Sequence, residues 1–107
     1  MGSIAYDKFG DIALAYGRSS AVAGDFPSIY LSWQTAGEPA GTTDESLIFK
    51  GAGSQSNTQN RWVDYTSMVL DGTDMCTFWY TDQYYPAEGS FTWQTRVAGR
   101  IKFPRCP

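Results

Sequence analysis

The stretch Asp11-Ile12-Ala13-Leu14-Ala15-Tyr16 decides the fold class. Large apolar side chains at Ile12, Leu14 and Tyr16 alternate with small alanines, which is the period-two pattern of a β-strand with two different faces. The stretch Ser28-Ile29-Tyr30-Leu31-Ser32-Trp33 alternates in the same way. Apolar residues are nowhere sustained at helical spacing. The pattern therefore predicts an all-β protein.

Eight strand patterns follow one another, separated by clusters of Gly, Pro, Asn and Asp. We predict strands near residues 3–7, 11–17, 28–34, 46–50, 62–70, 75–81, 91–97 and 100–103. The segment from Gly51 to Asn60 is polar and rich in glycine, and we expect a surface loop there. Each half of the chain would hold four antiparallel strands.

The two halves resemble each other in strand pattern. A shift of 64 residues places the patterns of the first half on those of the second without a gap. It produces three identities in the strand regions, Ser3 with Ser67, Asp7 with Asp71 and Tyr16 with Tyr80. We interpret residues 1–107 as one domain made of two repeats, about 3–58 and 59–107.

Tandem four-stranded units fit two architectures. They are either blades of a β-propeller or the sheets of a small β-sandwich. Two blades cannot close a ring of the usual four to eight, so the propeller interpretation predicts a homo-oligomer, and we favour a trimer with six blades. The sandwich interpretation predicts a monomer.

Composition excludes several partners. The chain has 107 residues and a formal net charge of -3, with no basic cluster for nucleic acid or for anionic membranes. It contains no apolar run long enough to span a bilayer, so we expect no membrane insertion. The start Met1-Gly2-Ser3 lacks the features of a signal peptide, and we interpret it as a fragment boundary.

The chain contains two cysteines, Cys76 and Cys106, and no histidine. Without a CxxC spacing or a histidine, we expect no metal site, and no sequence motif calls for another cofactor. The cysteines form a disulfide or remain two buried thiols, and we favour the disulfide. That bond would imply an oxidising compartment.

Several motifs resemble those of a known family. They are the run from Asn60 to Met68 (NRWVDYTSM), Cys76-Thr77-Phe78-Trp79-Tyr80-Thr81, Trp93-Gln94-Thr95-Arg96 and the end Phe103-Pro104-Arg105-Cys106. Together they resemble the C-terminal blades of secreted bacterial proteins with sialidase-like (BNR-repeat) β-propellers. The resemblance implies a propeller rather than a sandwich, agrees with pairing of Cys76 with Cys106, and implies a secreted or periplasmic protein.

The resemblance leaves the activity open, because fold does not determine function. Sialidases bind a substrate carboxylate with several arginines and use a tyrosine nucleophile. Here the five arginines are scattered along the sequence, and the repeat signature survives only in altered form as Ala87-Glu88-Gly89-Ser90-Phe91-Thr92-Trp93. We expect a non-enzymatic binding or assembly module with no catalytic residue. The alternative is an incomplete fragment of a sialidase-like glycoside hydrolase.

The candidate ligand-binding residues combine aromatic rings with polar groups, which is the chemistry of a carbohydrate site. They are Tyr84, Tyr85, Asp82, Arg61 and Asp64. For Trp79 we favour packing between the units, with the two tyrosines exposed in the following loop. Arg61 and Asp64 have an alternative role in orienting the entry to a strand. We interpret Asp71 and Asp74 as turn residues rather than as a catalytic carboxylate pair.

Overall fold

The computed structural model describes residues 1–59 and 61–107 and consists of two antiparallel sheets. The first sheet has the strand order β1-β2-β3-β4 and the second has the order β5-β6-β7. The strands are β1 (Gly2–Tyr6), β2 (Ile12–Arg18), β3 (Ser28–Gln34), β4 (Asp44–Phe49), β5 (Ser67–Leu70), β6 (Phe78–Tyr84) and β7 (Gln94–Ile101). The all-β prediction is therefore confirmed.

The first sheet follows the predicted alternation. Ala13 and Ala15 of β2 have no exposed surface, whereas Ile12 and Leu14 lie on the opposite, outer face. Ile4 of β1 pairs with Leu14, so its side chain shares that outer face. Small residues are buried here and large apolar residues are exposed.

The second sheet differs from the prediction in having three strands. Its first strand begins at Ser67 rather than near residue 62, and the two strands predicted at 91–97 and 100–103 form the single strand β7. The segment Ala98-Gly99 is therefore not a turn. β7 stays paired with β6 across this point because the extra residue is absorbed by a β-bulge, where Phe78 pairs with Ile101 and Tyr80 with Ala98.

The core lies between the two sheets. The first sheet contributes Ala13, Ala15, Ile29 and Leu31, and the second contributes Met68, Phe78 and Tyr80. Phe103 joins them from beyond β7, with its ring 5.5 Å from that of Phe78. Each large buried side chain contributes roughly 1.5–3 kcal/mol, so this interface is the main source of stability.

The strand lengths and pairings show how the two sheets correspond. β2 and β6 begin 66 residues apart, as do β3 and β7, and the pair Tyr16–Tyr30 corresponds to the pair Asp82–Arg96. Only β1 and β5 keep the predicted shift of 64, since Ser3 corresponds to Ser67. The ungapped shift was wrong because the turn Asp71–Thr77 is two residues longer than the turn Asp7–Asp11. The predicted equivalence of Tyr16 with Tyr80 fails for this reason.

The connection between the sheets is a loop, as predicted, and five of residues 51–59 are exposed, but it is also bonded to the segment that follows β6. The amide of Ala52 donates to the carbonyl of Tyr85, and Gln55 bridges Gly89. Gly53 is buried so closely against the backbone that an added Cβ would lie 2.0 Å from the carbonyl carbon of Ala87. Asn60, the last residue of the predicted loop, lies outside the described residues.

The carboxy-terminal segment is attached to the turn before β6. Cys76 and Cys106 form the predicted disulfide, with Cα atoms 5.6 Å apart. In the same turn the Asp74 carboxylate accepts hydrogen bonds from the amides of Cys76 and Thr77, each 2.9 Å long. The hydrogen bond from the Thr77 hydroxyl, followed by the bonds from these two amides, lowers the pKa of Asp74 to about 2. Asp74 therefore acts as a turn residue.

Among the described residues, none forms a helix of the length and apolarity needed to cross a membrane.

Candidate functional site

A cleft of about 280 Å³ lies beside the second sheet, between the segment that leads into β5 and the segment that leads into β7. Its aromatic lining consists of Trp62, Tyr65, Phe91 and Trp93. Its polar lining consists of Arg61, Asp64, Gln59 and Gln83. Apolar rings and convergent polar groups are the usual composition of a small-ligand site.

An ion pair lies at one side of the cleft. The guanidinium of Arg61 donates to the Asp64 carboxylate over 2.5 Å, and both side chains remain exposed. Two hydrogen bonds hold this segment, since Gln55 Nε2 donates to the Arg61 carbonyl and the Val63 amide donates to Gln83 Oε1. The pair is therefore supported on both sides by neighbouring segments.

Val63 fixes the path of the chain between the two charged residues. It is buried and has a φ of 57°, a conformation that is unfavourable for a β-branched residue. Strain of this kind persists only where the surrounding structure holds it. Here the buried side chain and the bond from its amide to Gln83 hold it, and the result is that Arg61 and Asp64 lie on the same side.

The aromatic residues of the cleft divide into one anchor and three exposed rings. Trp62 packs over Gly17 so closely that an added Cβ would lie 2.9 Å from Trp62 Cη2, and its ring meets that of Tyr85 edge to face. Tyr65, Phe91 and Trp93 are exposed, and the rings of the last two lie 5.7 Å apart. Exposed rings at fixed positions offer flat apolar surfaces to a ligand.

The structure separates the five predicted ligand residues into two groups. Arg61 and Asp64 lie together in the cleft. Tyr85 and Asp82 have no exposed surface, so the expectation of an exposed Tyr85 is wrong. Tyr84 is half-buried, with its ring 4.4 Å from that of Phe49 and its hydroxyl donating to Gln94 Oε1.

The physical reason is that β6 extends to Tyr84. Strand residues alternate between faces, which directs Asp82 and Tyr84 toward the first sheet. Trp79, expected between the units, instead lies on the outer face with 36% of its surface exposed. Tyr85 follows directly after β6 and packs under Trp62.

Asp82 and Tyr80 form a buried polar pair away from the cleft. The Tyr80 hydroxyl donates to Asp82 Oδ2 over 2.5 Å, and the Gln83 amide donates to Asp82 Oδ1. Burial raises the pKa of Asp82 although these hydrogen bonds favour its charged form. Burial, followed by the bond to Asp82, also raises the pKa of Tyr80.

The arginines are dispersed over the molecule. Arg18 pairs with Glu45, Arg105 with the buried Asp11, and Arg96 lies over the ring of Phe49. Arg61 is committed to Asp64 in the cleft. The structure therefore distributes four of the five arginines among separate partners rather than around one carboxylate.

Sequence reasoning missed the contribution of Phe91 and Trp93 to the cleft. Strand alternation could not have revealed this, because both residues precede β7 and Phe91 has a φ of 56°. It also missed an aromatic cluster on the first sheet, where Tyr16 and Tyr30 stack and Arg18 lies over Tyr30. Burial, followed by the hydrogen bond that the Tyr16 hydroxyl donates to Glu45, raises the pKa of Tyr16 to about 12. That cluster depends on strand register, which is not visible locally.

The motifs that led us to expect sialidase-like propeller blades lie on the second sheet or next to it. The run ending at Met68 leads into β5, the run Cys76–Thr81 leads into β6, and the run Trp93–Arg96 leads into β7. Asn60, the first residue of the first run, lies outside the described residues. A comparison of the chain with protein-family models, with curated proteins and with solved structures finds no significant match.

Proposed function

We propose that this chain is a non-enzymatic binding module whose cleft binds carbohydrate. The observation that carries the proposal is the presence of three exposed aromatic rings, Tyr65, Phe91 and Trp93, beside the Arg61–Asp64 pair. Rings stack on the apolar faces of sugars, while charged and amide groups bond their hydroxyls.

The geometry favours a neutral or weakly charged sugar. Arg61 is already bonded to Asp64, so its charge is largely balanced before any ligand arrives. Guanidinium and carboxylate groups held together still offer free donors and acceptors to a pair of hydroxyls. Both charges would remain paired in the complex, which avoids the cost of burying an isolated ion.

The compartment belongs to the same proposal. A disulfide between Cys76 and Cys106 is stable where the environment is oxidising. Together with the resemblance to secreted sialidase-like propellers, it supports a secreted or periplasmic module. Glycans are the surface chemistry that such a module would meet there.

A glycan array carrying neutral and sialylated oligosaccharides tests the proposal, followed by calorimetry in solution with the strongest array ligand. We expect Trp93→Ala to weaken binding about tenfold, since a stacked ring contributes on the order of 1.4 kcal/mol, which is tenfold in Kd. Arg61→Ala is expected to weaken binding by a similar factor, because it removes the N–H groups that would donate to the sugar hydroxyls and leaves Asp64 unpaired.

Trp79→Ala is the matched control. Trp79 and Trp93 are both 36% exposed, but Trp79 lies outside the cleft, so its loss should leave the Kd in solution unchanged. A blank array, or equal effects of the two tryptophan substitutions, would contradict a carbohydrate site in this cleft. Hydrolysis of a fluorogenic sialoside by the chain would instead favour the glycoside hydrolase fragment.

A further inference from the structure

We infer that the chain associates head to tail with further copies of itself, the outer face of the first sheet packing on the outer face of a neighbour's second sheet. The exposed apolar residues of the first-sheet outer face are Ile4, Tyr6, Ile12, Leu14 and Leu47. The second-sheet outer face is formed by Val69, Trp79, Thr81 and Val97. The inference is independent of the ligand bound in the cleft.

The starting point is the correspondence between the strands of the two sheets. Ile12 and Leu14 of β2 occupy the positions that Phe78 and Tyr80 occupy in β6, since the two strands begin 66 residues apart and share one register. Phe78 and Tyr80 are fully buried against the first sheet, whereas Ile12 and Leu14 are exposed. The positions on β6 therefore face the first sheet, whereas the corresponding positions on β2 face outward.

The opposite faces show the same relation in reverse. Ala13 and Leu31 are buried against the second sheet, and their equivalents Trp79 and Val97 are exposed. On the first strands, the buried Met68 corresponds to the exposed Ile4, because Ile4 pairs with Leu14 as Met68 pairs with Tyr80. Each exposed apolar face is thus the structural equivalent of a face that the molecule buries.

This relation means that the two sheets stack in the same orientation. In a two-layer sandwich whose sheets are related by a two-fold axis, equivalent faces would meet each other and the two outward faces would also be equivalent to each other. Here the inner faces of the two sheets are not equivalent to each other. The outer face of the first sheet is equivalent to the inner face of the second, so a further copy can repeat the same contact. The exposed first-sheet face of one copy is the kind of face that fits the exposed second-sheet face of another.

The exposure of these faces gives the association its driving force. Ile4 and Tyr6 on the first sheet are 63% and 73% exposed, and Val97 on the second sheet is 60% exposed. They are neighbours of further apolar residues rather than isolated positions, since Tyr6 pairs with Ile12 and Val69 with Trp79. A contiguous apolar surface of this kind marks an interaction site.

A head-to-tail contact joins two different surfaces, so it generates a ring when the rotation closes. With two sheets per chain, two, three or four copies would place four, six or eight sheets in the ring, and all three numbers lie within the range of propellers. Among these rings we favour the trimer, with three times the 11.9 kDa mass of the chain.

Light scattering coupled to size exclusion tests the contact with charge variants on the two faces. Ile4→Lys disables the first-sheet face and Val97→Lys the second-sheet face, both on edge strands, which tolerate lysine. Each variant alone is expected at the mass of one chain. An equal mixture of the two is expected at the mass of two chains, because one intact face remains on each. Ala40→Lys, in an exposed turn, adds the same charge elsewhere and should retain the full oligomer.

The alternatives give different results. If the native chain has the mass of one chain at all concentrations, the inference is wrong. If one of the two variants remains oligomeric by itself and the mixture contains no pair made of both variants, then two identical faces associate. In that case head-to-tail packing is wrong. Native masses of two or four chains with pairing in the mixture would support the contact with another ring size. Circular dichroism of each variant verifies the fold, and Tyr6→Lys with Val69→Lys repeats the test should either first variant fail to fold.

Discussion

At the scale of single residues, the buried carboxyl of Asp82 makes the stability of this protein depend on pH. Asp82 has no exposed surface and accepts hydrogen bonds from the Tyr80 hydroxyl and the Gln83 amide. Its pKa is raised because burial penalises the charged carboxylate more than the hydrogen bonds stabilise it. The folded state therefore holds a proton at this position more tightly than the unfolded chain does.

The first prediction concerns Asp82→Asn. Stability from the protonated carboxyl is fully present below the unfolded pKa of about 3.9 and is lost as pH rises toward the raised folded value. Asparagine does not titrate, so the substitution removes this dependence of stability on pH. It also removes one hydrogen bond, which costs about 1 kcal/mol. We expect the stability advantage of the native chain over the variant to shrink from about pH 3.5 to about pH 7, measured by urea unfolding.

Asp44→Asn, the same substitution at an exposed strand position, is the control for this measurement. It shows how much the loss of one surface carboxylate by itself changes the measured stability. Parallel pH profiles for the native chain and Asp82→Asn would mean that burial does not perturb this carboxyl.

At the scale of the strands, β7 is held in one piece by a β-bulge over which Trp79 packs. An added Cβ on Gly99 would lie 2.2 Å from Trp79 Cζ3 and 2.4 Å from Cε3. Arg100, the next residue, has a φ of 59°. The glycine lets the indole ring cover the backbone at the point where the strand pairing shifts, so the ring position depends on the absence of a side chain.

The second prediction is that Gly99→Ala lowers the free energy of unfolding by about 1–3 kcal/mol, because the methyl group must displace the ring of Trp79. Chemical denaturation measures the change. Gly72→Ala is the matched control, since an added Cβ there meets nothing within 4 Å, and its effect should stay within about 0.5 kcal/mol. In a Trp79→Ala background the cost of Gly99→Ala should fall to the level of this control, and an unchanged cost would contradict the contact.

At the scale of the whole molecule, the carboxy-terminal segment connects the core to the turn before β6. Phe103 packs against Phe78 and Trp33, and Arg105 pairs with the buried Asp11 over 2.6 Å. The disulfide from Cys106 to Cys76 holds this segment in place. It closes a loop with a sequence separation of 30.

The third prediction is that replacing both cysteines by alanine costs about 3–4 kcal/mol of stability, the loop entropy expected for a loop of this size. The free energy of unfolding in urea measures it. Addition of reductant to the native chain should reproduce the loss, and reductant should leave the double variant unchanged. Intact mass after alkylation is the direct check, because two alkylatable thiols without reductant would contradict the bond.

The alternation in Ile12–Tyr16 and Ser28–Trp33 was sufficient to predict the all-β class and the strands β2 and β3, because a period of two residues is a local property. The ion pair between Arg61 and Asp64 could also have been predicted from the sequence, since the two residues are three positions apart. Only the tertiary structure decided the rest. The bulge at Gly99, the burial of Tyr85 and the meeting of Trp93 with Arg61 all depend on contacts between residues distant in the chain. Which face of each sheet is buried was likewise decided by stacking, because an alternating strand has an apolar side in either orientation.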